Sequence, residues 1–334
     1  MDRRLIATDG LTQSVLEAGE GPLVLLIHGF PELAVSWRAQ IEALAEAGYR
    51  VVAPDMRGYG ATDRPGKTED HTILHLVGDM VDLVRALGER SCVAIGHDWG
   101  ASVAWHCALM RPDLFTAVAG LSVPFQPRRA KGPPIAAMRA IAARAGTDDL
   151  YITRFQDEEA HLSFDADPET ALQKMFWAYD GATPADQRHT GFLKPGQSMV
   201  DGVSDEAVRP PWMNADHFAE YVGAFRASGF KGPLDWYRCM DLNWSLTGWL
   251  QGRTVDVPAL FMIGEHDPVR HYAGRHEKAQ VEWLTDLRGM IEVPGAGHWL
   301  QQERPEAVNA ALLEFLGGRP GVNAGQAEAP VGAG

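Results

Sequence analysis

The sequence predicts an α/β protein with a mostly parallel central sheet, helices on both faces and an inserted helical lid. Two observations carry this prediction. Short apolar runs, which are typical of strands buried on both faces, alternate with segments whose apolar residues have helical spacing. The alternation stops between residues 127 and 247 and resumes near residue 258. Because strand–helix–strand alternation indicates parallel pairing through right-handed crossovers, we expect one sheet that is interrupted by a helical insertion.

The first part of the chain supplies most of the predicted sheet. Residues 5–20 have the pattern of an amphipathic hairpin that turns at Asp9-Gly10. Apolar runs after it predict strands, and Gly48 and Gly88 are natural ends for two of the helices between them. The predicted strands span residues 23–27, 49–55, 92–95 and 117–123, and the predicted helices span 37–47, 71–87 and 101–110.

The later part of the chain contains the insertion and completes the sheet. Residues 127–247 hold helical patterns, loops and many aromatic residues but no clean buried strand, which is typical of a lid. The pattern after it predicts a strand in the run 258–267 that ends in an acid, a helix at about 271–284, a strand at 289–293 and a helix at 305–316. We therefore expect an α/β core (1–126 and 248–318), a helical cap (127–247) and a disordered tail (319–334) rich in Gly, Ala and Pro.

Composition argues against several classes of function. The 334 residues carry a formal net charge of −14, whereas nucleic-acid binding needs clustered Lys and Arg. No apolar run reaches the ~18 residues of a membrane span, and the N-terminus lacks an apolar signal core. The three cysteines are an odd number without CxxC spacing, as expected in a reducing compartment. We expect a cytoplasmic monomer or homodimer that binds no nucleic acid and does not span a membrane.

The motif Gly96-His97-Asp98-Trp99-Gly100 is the starting point for the prediction of function. A predicted strand precedes it and a predicted helix follows it, which is the pattern of a nucleophile elbow, G-x-S-x-G, with aspartate instead of serine. An aspartate is already ionised at neutral pH, and it can displace a leaving group from the carbon of an epoxide or an alkyl halide. The alternative is that Asp98 only caps the helix, since Asp is favoured at that position.

Asp267 and His298 favour the catalytic interpretation of Asp98. Each of the three residues follows a predicted strand, and their chain order of nucleophile, acid and histidine is that of the α/β-hydrolase triad. Ligands of parallel sheets bind at the carboxyl ends of the strands, so residues far apart in sequence can converge there. His28 and Asp55 also follow predicted strands at this edge.

Several motifs together resemble the α/β-hydrolase fold and, within it, the epoxide hydrolases, over nearly all of residues 21–316. The elbow resembles those of epoxide hydrolases and also those of dehalogenases. The most discriminating stretch is residues 232–238 with Asn243-Trp244, which is similar to the epoxide-hydrolase lid segment that carries a ring-opening tyrosine. Further matches are Asp55-x-Arg57-Gly58-x-Gly60, His28-Gly29-Phe30-Pro31 and, over a shorter stretch, residues 150–156.

The resemblance implies a reaction in two steps. Asp98 attacks the epoxide carbon to form an alkyl-enzyme ester, and His298, oriented by Asp267, activates the water that hydrolyses the ester to a vicinal diol. The backbone amides of Phe30 and Trp99 stabilise the oxyanion that develops on Asp98. Neither a metal nor an organic cofactor is implied.

Two tyrosines of the lid, Tyr237 and Tyr151, are implied as proton donors. Ring opening leaves an alkoxide, a poor leaving group unless it is protonated or hydrogen-bonded as it forms, and a phenol with a pKa near ~10 keeps its proton at neutral pH. The expected substrate is a small apolar epoxide, which reacts with water. The residues expected to line its pocket are His28, Pro31, Trp177 and Trp236.

Three alternatives stand beside this prediction. A haloalkane or haloacid dehalogenase would use the same Asp ester, but a departing halide needs no proton, and a nitrogen donor such as that of Trp99 would serve it. The Phe30-Pro31 pair and the Tyr237 segment argue against this class. A serine esterase is disfavoured because the elbow has no serine. A catalytically silent receptor on the same fold would not need an intact triad.

Overall fold

A large mixed sheet forms the centre of the structure. The computed structural model describes residues 1–147, 149–194 and 196–317, so the predicted disordered tail (319–334) lies outside the described residues. The strands are β1 (Asp2–Ala7), β2 (Thr12–Ala18), β3 (Leu23–Ile27), β4 (Arg50–Pro54), β5 (Cys92–His97), β6 (Phe115–Leu121), β7 (Asp149–Leu150), β8 (Phe192–Leu193), β9 (Ala259–Gly264) and β10 (Leu287–Val293). β7 and β8 form a separate antiparallel pair.

The eight strands of the large sheet have the order β1-β2-β4-β3-β5-β6-β9-β10. β2 pairs antiparallel with both β1 and β4, and the later neighbours are parallel. Every residue of β3, β5 and β9 is buried, as expected of strands that are covered on both faces, whereas burial alternates along β10 at the edge. The prediction of a mostly parallel α/β sheet is confirmed.

Helices connect the strands, with α1 packed against α14 and α2 against α3. The helices are α1 (Arg38–Glu46), α2 (Ile73–Ala86), α3 (Trp99–Met110), α4 (Pro134–Arg144), α5 (Tyr151–Arg154), α6 (Leu162–Asp165), α7 (Pro168–Ala178), α8 (Ala215–Ser228), α9 (Lys231–Arg238), α10 (Met240–Leu246), α11 (Arg270–Lys278), α12 (Gln280–Trp283), α13 (Leu300–Glu303) and α14 (Pro305–Gly317). Short 3-10 helices span Ala34–Trp37, Thr68–His71 and Gly248–Leu250. Within the described ranges, no helix is both long enough and apolar enough to cross a membrane.

The prediction of one continuous helix at residues 271–284 is wrong. The structure has two helices, α11 and α12, with a break at Ala279, whose backbone leaves helical geometry. The next residue, Gln280, is fully buried, and its side-chain amide bonds both main-chain polar groups of Phe125. The break therefore coincides with a side chain that fastens this region to the segment after β6.

Helices α4 to α10 lie between β6 and β9, and we call residues 127–247 the helical segment. It also contains the short β7–β8 pair, which the sequence pattern did not predict. Side-chain hydrogen bonds join it to the loops at the carboxyl end of the sheet. Trp236 Nε1 donates to the carbonyl of Arg57 at 3.1 Å, and Thr68 Oγ1 donates to Asp235 at 3.0 Å. These contacts hold α9 close to the strand ends that carry the predicted triad.

Candidate active site

Asp98 lies at a strained turn between β5 and α3. Its backbone angles are φ 53° and ψ −120°, in a region that residues with a side chain rarely adopt. A Cβ at Gly96 would overlap the carbonyl of Gly100, and a Cβ at Gly100 would overlap the carbonyl of Ile27. Both positions therefore require glycine, because strand and helix approach each other so closely. The result is a carboxylate held at the end of β5, as in a nucleophile elbow.

Two amides and one imidazole surround the carboxylate of Asp98. The N–H of Phe30 donates to Oδ1 at 2.9 Å. The backbone amide of Trp99, the next residue, also lowers the pKa of the carboxyl group. His298 Nε2 lies 3.6 Å from Oδ2. Burial raises the pKa of Asp98, while His298, His97 and the two amides oppose that rise. Both predicted amides thus face Asp98, and their part in catalysis stays a prediction.

His298 lies between Asp98 and Asp267. Its Nδ1 is 3.2 and 3.3 Å from the two carboxylate oxygens of Asp267 and 2.9 Å from Ser122 Oγ. Asp267 is buried and also accepts the N–H of Val269 at 2.9 Å. Burial alone would raise the pKa of Asp267, but the charge of His298 and the hydrogen bonds lower it. The three predicted residues, which follow β5, β9 and β10, are therefore brought together.

A fully buried ion pair, His97 with Glu32, lies beside these residues. His97 Nδ1 is 2.6 Å from Glu32 Oε2, and His97 Nε2 is 2.7 Å from the carbonyl of His298. Because each ring nitrogen faces an acceptor, both carry a proton and the ring is an imidazolium. Burial would lower the pKa of His97, but the charge and the hydrogen bond of Glu32, together with the charge of Asp98 and the carbonyl of His298, outweigh burial and raise that pKa to about 9. The pair fixes the main chain of His298 and adds positive charge near Asp98.

Glu303 holds the loop that carries His298. Its carboxylate accepts the N–H of Gly297 at 2.8 Å and the N–H of Trp299 at 2.9 Å. The same group accepts the N–H of Gly181, in the helical segment, at 2.9 Å. Burial raises the pKa of Glu303 to about 8. One carboxyl group therefore fastens the loop of His298 to the helical segment.

Sequence reasoning missed Glu32, Ser122 and Glu303. Two of them carried a positional signal: Ser122 follows β6 directly, at the carboxyl edge of the sheet, and Glu32 follows the His28-Gly29-Phe30-Pro31 motif. Glu303 carried no such signal, because its partners are backbone amides of two separate loops. Contacts of that kind depend on how the loops pack and leave no spacing in the sequence.

Tyr151 and Tyr237 project from α5 and α9 of the helical segment toward Asp98. Their ring centroids are 6.0 Å apart, and the ring of Tyr237 packs edge-to-face on Phe30 (5.6 Å) and Trp99 (5.2 Å). Gln156 joins the two helices by donating to the carbonyl of Tyr237 at 3.0 Å. Burial raises the pKa of both phenols, so both keep their protons at neutral pH.

Two cavities meet at Asp98, one of about 20 Å³ and one of about 240 Å³. The small cavity, which has room for about one water molecule, is also lined by His298. The large cavity extends along α4 and α10 of the helical segment. The residues that line both cavities are Asp98, Tyr151, Tyr237, Val269 and Tyr272. The predicted nucleophile, histidine and phenols therefore face one space.

Two of the four residues expected to line the substrate pocket form hydrogen bonds elsewhere. His28 is fully buried, and its ring accepts the N–H of Met56 at 2.9 Å. Trp236 is equally buried, and its indole N–H donates to the carbonyl of Arg57. Arg57 belongs to the sheet side of the molecule, a name we use for the described residues outside 127–247. In the described part of the chain, the walls of the two cavities include none of His28, Pro31, Trp177 and Trp236. Neither cavity is therefore bordered by these side chains, and their contact with a substrate stays a prediction.

The chain is similar to known proteins along nearly its whole length. The sequence model of one family, described as the alpha/beta hydrolase fold, matches residues 22–305. Epoxide hydrolase A of Mycobacterium tuberculosis is 43% identical over 320 residues, which cover 94% of this chain and 97% of that protein.

Two solved structures extend this similarity to three dimensions. Epoxide hydrolase A from Mycobacterium thermoresistibile is 42% identical with a TM-score of 0.88, covering 95% of this chain and 98% of its own. An epoxide hydrolase from an endophytic Streptomyces is 36% identical with a TM-score of 0.90, covering 95% of each chain. With the family match and the identity to curated relatives, this chain belongs to the epoxide hydrolases of the α/β-hydrolase fold.

Proposed function

We propose that this protein hydrolyses epoxides to vicinal diols through a covalent ester on Asp98. One observation carries the proposal: a buried carboxylate, an imidazole paired with a second carboxylate, and two phenols border the same cavity. These are the side chains of Asp98, His298, Tyr151 and Tyr237. Family membership supports the reaction class, because the relatives named above are epoxide hydrolases.

Ring opening is the first proposed step. The amide of Phe30 holds Oδ1 of Asp98, which leaves Oδ2 to attack an epoxide carbon. The carbon–oxygen bond of the ring breaks, and its electron pair passes to the departing oxygen. Tyr151 and Tyr237 stabilise that oxygen by hydrogen bonding, and one of them gives it a proton, since both phenols stay protonated at neutral pH.

Hydrolysis of the ester is the second proposed step. His298 takes a proton from water, which attacks the carboxyl carbon of Asp98, while Asp267 stabilises the imidazolium that forms. The oxyanion on Asp98 is stabilised by the amides of Phe30 and Trp99, which already face its carboxylate. The diol leaves, and the proton on His298 restores the phenol that was spent.

We also propose that residues 127–247 act as a cap over this site. Both phenols belong to the helical segment, whereas the nucleophile and the histidine belong to the sheet side. The large cavity is bordered by both parts, with Ser102 and His106 of α3 on one side and Met138 of α4 on the other. Substrate would therefore bind between them.

Labelled water tests the covalent step. With enzyme in excess over styrene oxide, a single turnover in oxygen-labelled water should place the label in the peptide that contains Asp98, because the attacking water enters the carboxyl group. The first diol released should be unlabelled. Label in the diol with an unlabelled peptide would mean that water attacks the epoxide directly, and the covalent proposal would be wrong.

The variant His298→Gln tests whether His298 acts in ester hydrolysis and not in ring opening. We expect it to form the ester at close to the normal rate and to hydrolyse it slower by on the order of 10³-fold, as for loss of a general base. Intact-protein mass spectrometry should then detect the added mass of styrene oxide. A variant that forms no ester at all would assign His298 to ring opening instead.

A comparison of substrates addresses the dehalogenase alternative. Two phenols suit an alkoxide leaving group, because they can donate to it as the ring opens. We therefore expect turnover of styrene oxide and none of butyl bromide under the same conditions. Release of bromide at a comparable rate would favour dehalogenation and contradict the proposed role of the phenols.

A further inference from the structure

We propose that Tyr272 is a third phenol of this site and positions Tyr151 for proton donation, an inference that rests on the function proposed above. Tyr272 lies on the first turn of α11, five residues after Asp267, and it is half-buried. It lines both cavities that meet at Asp98. Unlike Tyr151 and Tyr237, it belongs to the sheet side of the molecule.

The hydroxyl of Tyr272 contacts the hydroxyl of Tyr151. The two Oη atoms are 3.2 Å apart, and the ring centroids are 6.3 Å apart at an interplanar angle of 65°. On its other side, the ring of Tyr151 packs against that of Tyr237, with the ring centroids 6.0 Å apart. The three phenols therefore form a row in which Tyr151 occupies the middle position.

The anchoring of Tyr272 is independent of the helical segment. Its N–H donates to the carbonyl of Val269 at 3.2 Å, and the N–H of Val269 donates to the carboxylate of Asp267 at 2.9 Å. One turn of the chain thus carries both the acid that orients His298 and the phenol that contacts Tyr151. This turn ties a residue of the helical segment to the triad.

Proton counting fixes the direction of the hydrogen bond during the reaction. A phenol has one proton, so once Tyr151 directs its own toward the departing oxygen, it can only accept from Tyr272. As Tyr151 loses its proton, negative charge develops on its Oη, and the O–H of Tyr272 stabilises that charge. Tyr272 itself keeps its proton, and no additional reactant is required.

Electrostatics around Tyr151 agree with this direction. Burial and the negative charge of Asp98 raise the pKa of Tyr151, whereas its hydrogen bond with Tyr272 lowers it. A phenol is a better donor to an alkoxide when its own anion is stabilised. Loss of the Tyr272 hydroxyl should therefore weaken the donor strength of Tyr151 and leave the rest of the site in place.

The variant Tyr272→Phe, which keeps the ring, tests this inference. We expect single-turnover alkylation by styrene oxide to slow by about tenfold, the effect of one hydrogen bond that matters in the transition state. Hydrolysis of the ester should be unchanged, because His298 and Asp267 are untouched. The alkaline limb of the alkylation rate should move to higher pH, since the pKa of Tyr151 rises. Equal slowing of both steps would indicate a structural role only and overturn the proposal.

A double variant separates positioning from substrate packing. If Tyr272 acts through Tyr151, Tyr151→Phe with Tyr272→Phe should be no slower than Tyr151→Phe alone. Multiplication of the two single effects would instead show that Tyr272 acts on the substrate by itself, and the inference would be wrong.

A matched control keeps the test specific. Tyr221→Phe removes another phenol hydroxyl, on α8, and Tyr221 lies outside the described walls of both cavities. It should alkylate at the wild-type rate. If wild-type protein formed no ester on Asp98, the proposed function itself would fail. If the wild type formed the ester and Tyr272→Phe did so equally fast, only the inference about Tyr272 would fail.

Discussion

The sheet side and the helical segment contribute to one cavity by different physical means. On the sheet side, backbone amides and buried charges fix the functional groups: Phe30 donates to Asp98, and Glu303 binds the amides that flank His298. In the helical segment, aromatic packing does this work, as where Tyr237 packs on the rings of Phe30 and Trp99. Directional hydrogen bonds and charges therefore hold the groups of the sheet side, whereas apolar contacts hold those of the helical segment.

This difference matches the chemistry proposed for each part. An attacking carboxylate and a general base need fixed geometry and fixed charge, which hydrogen bonds to the main chain supply. A proton donor to a variable substrate needs a protonated phenol in an apolar setting, which burial supplies by raising the pKa. Substitutions on the two sides should therefore differ in the kind of effect that they produce.

The largest effect is expected from Asp98→Asn on the sheet side. Loss of the nucleophile should lower turnover of styrene oxide by on the order of 10⁴-fold or more. The melting temperature should not fall, because burial disfavours the charged form of Asp98, as its raised pKa shows, and the amide is neutral. Turnover within a factor of ten of wild type would contradict the role of Asp98, provided that mass spectrometry shows the asparagine to be intact.

The second effect is expected from Glu32→Gln, which changes the buried ion pair beside the triad. This change removes the carboxylate that faces His97 in a fully buried pair. Breaking such a pair costs about 3 kcal/mol of unfolding free energy, measurable by urea titration. Glu282→Gln, on an exposed face of α12, is the matched control and should change stability very little. A loss below about 1 kcal/mol for Glu32→Gln would show that the pair is not a determinant of stability.

Removal of a phenol from the helical segment comes third. Tyr237→Phe should slow single-turnover alkylation by on the order of 10²-fold while leaving the melting temperature near that of wild type, because the packed ring is kept. Tyr151→Phe should show a partly overlapping loss. Full alkylation activity in the double variant would show that neither tyrosine takes part in ring opening.

The two sides also differed in how far the sequence predicted them. Asp98, Asp267 and His298 were found because each follows a strand, and the topology of a parallel sheet brings strand ends to one edge. Tyr237 came from resemblance over a longer stretch, since no periodicity marks a side chain that reaches the site from an insertion. Trp236 was expected at the pocket, but its indole N–H donates to the carbonyl of Arg57, and a tryptophan that bridges two layers looks the same in sequence as one that faces a ligand.

The stability of the folded protein should fall as the pH rises from 6.5 to 9, because buried groups of the sheet side lose protons. The folded-state pKa of His97 is about 9 against an ordinary value of 6.5. The stabilisation of the folded state by protonated His97 is fully present below pH 6.5, and it is lost as the pH rises through 9. The raised pKa of Glu303, about 8, acts in the same direction from lower pH. Melting temperatures between pH 6.5 and 9 should fall less steeply in Glu32→Gln, and an unchanged slope would exclude His97 as the source.

The smallest effect is expected where the two sides meet through surface charge. Glu220, on α8 of the helical segment, pairs with Arg3 of β1 at 2.7 Å and with Arg38 of α1 at 2.6 Å. The pair of Glu169 with Arg226, at 2.8 Å, is a matched control because both partners lie within the helical segment. Partly exposed pairs of this kind contribute less than about 1 kcal/mol and weaken in salt.

Glu220→Gln should therefore lower the melting temperature slightly at low salt, and the difference from wild type should disappear at about 1 M salt. Glu169→Gln should produce an equally small loss of stability. Only the first variant should change alkylation, by about twofold, because of these two glutamates only Glu220 pairs with residues outside the helical segment. The same alkylation rate in both variants would mean that the ion pairs of Glu220 play no part in positioning the helical segment over Asp98.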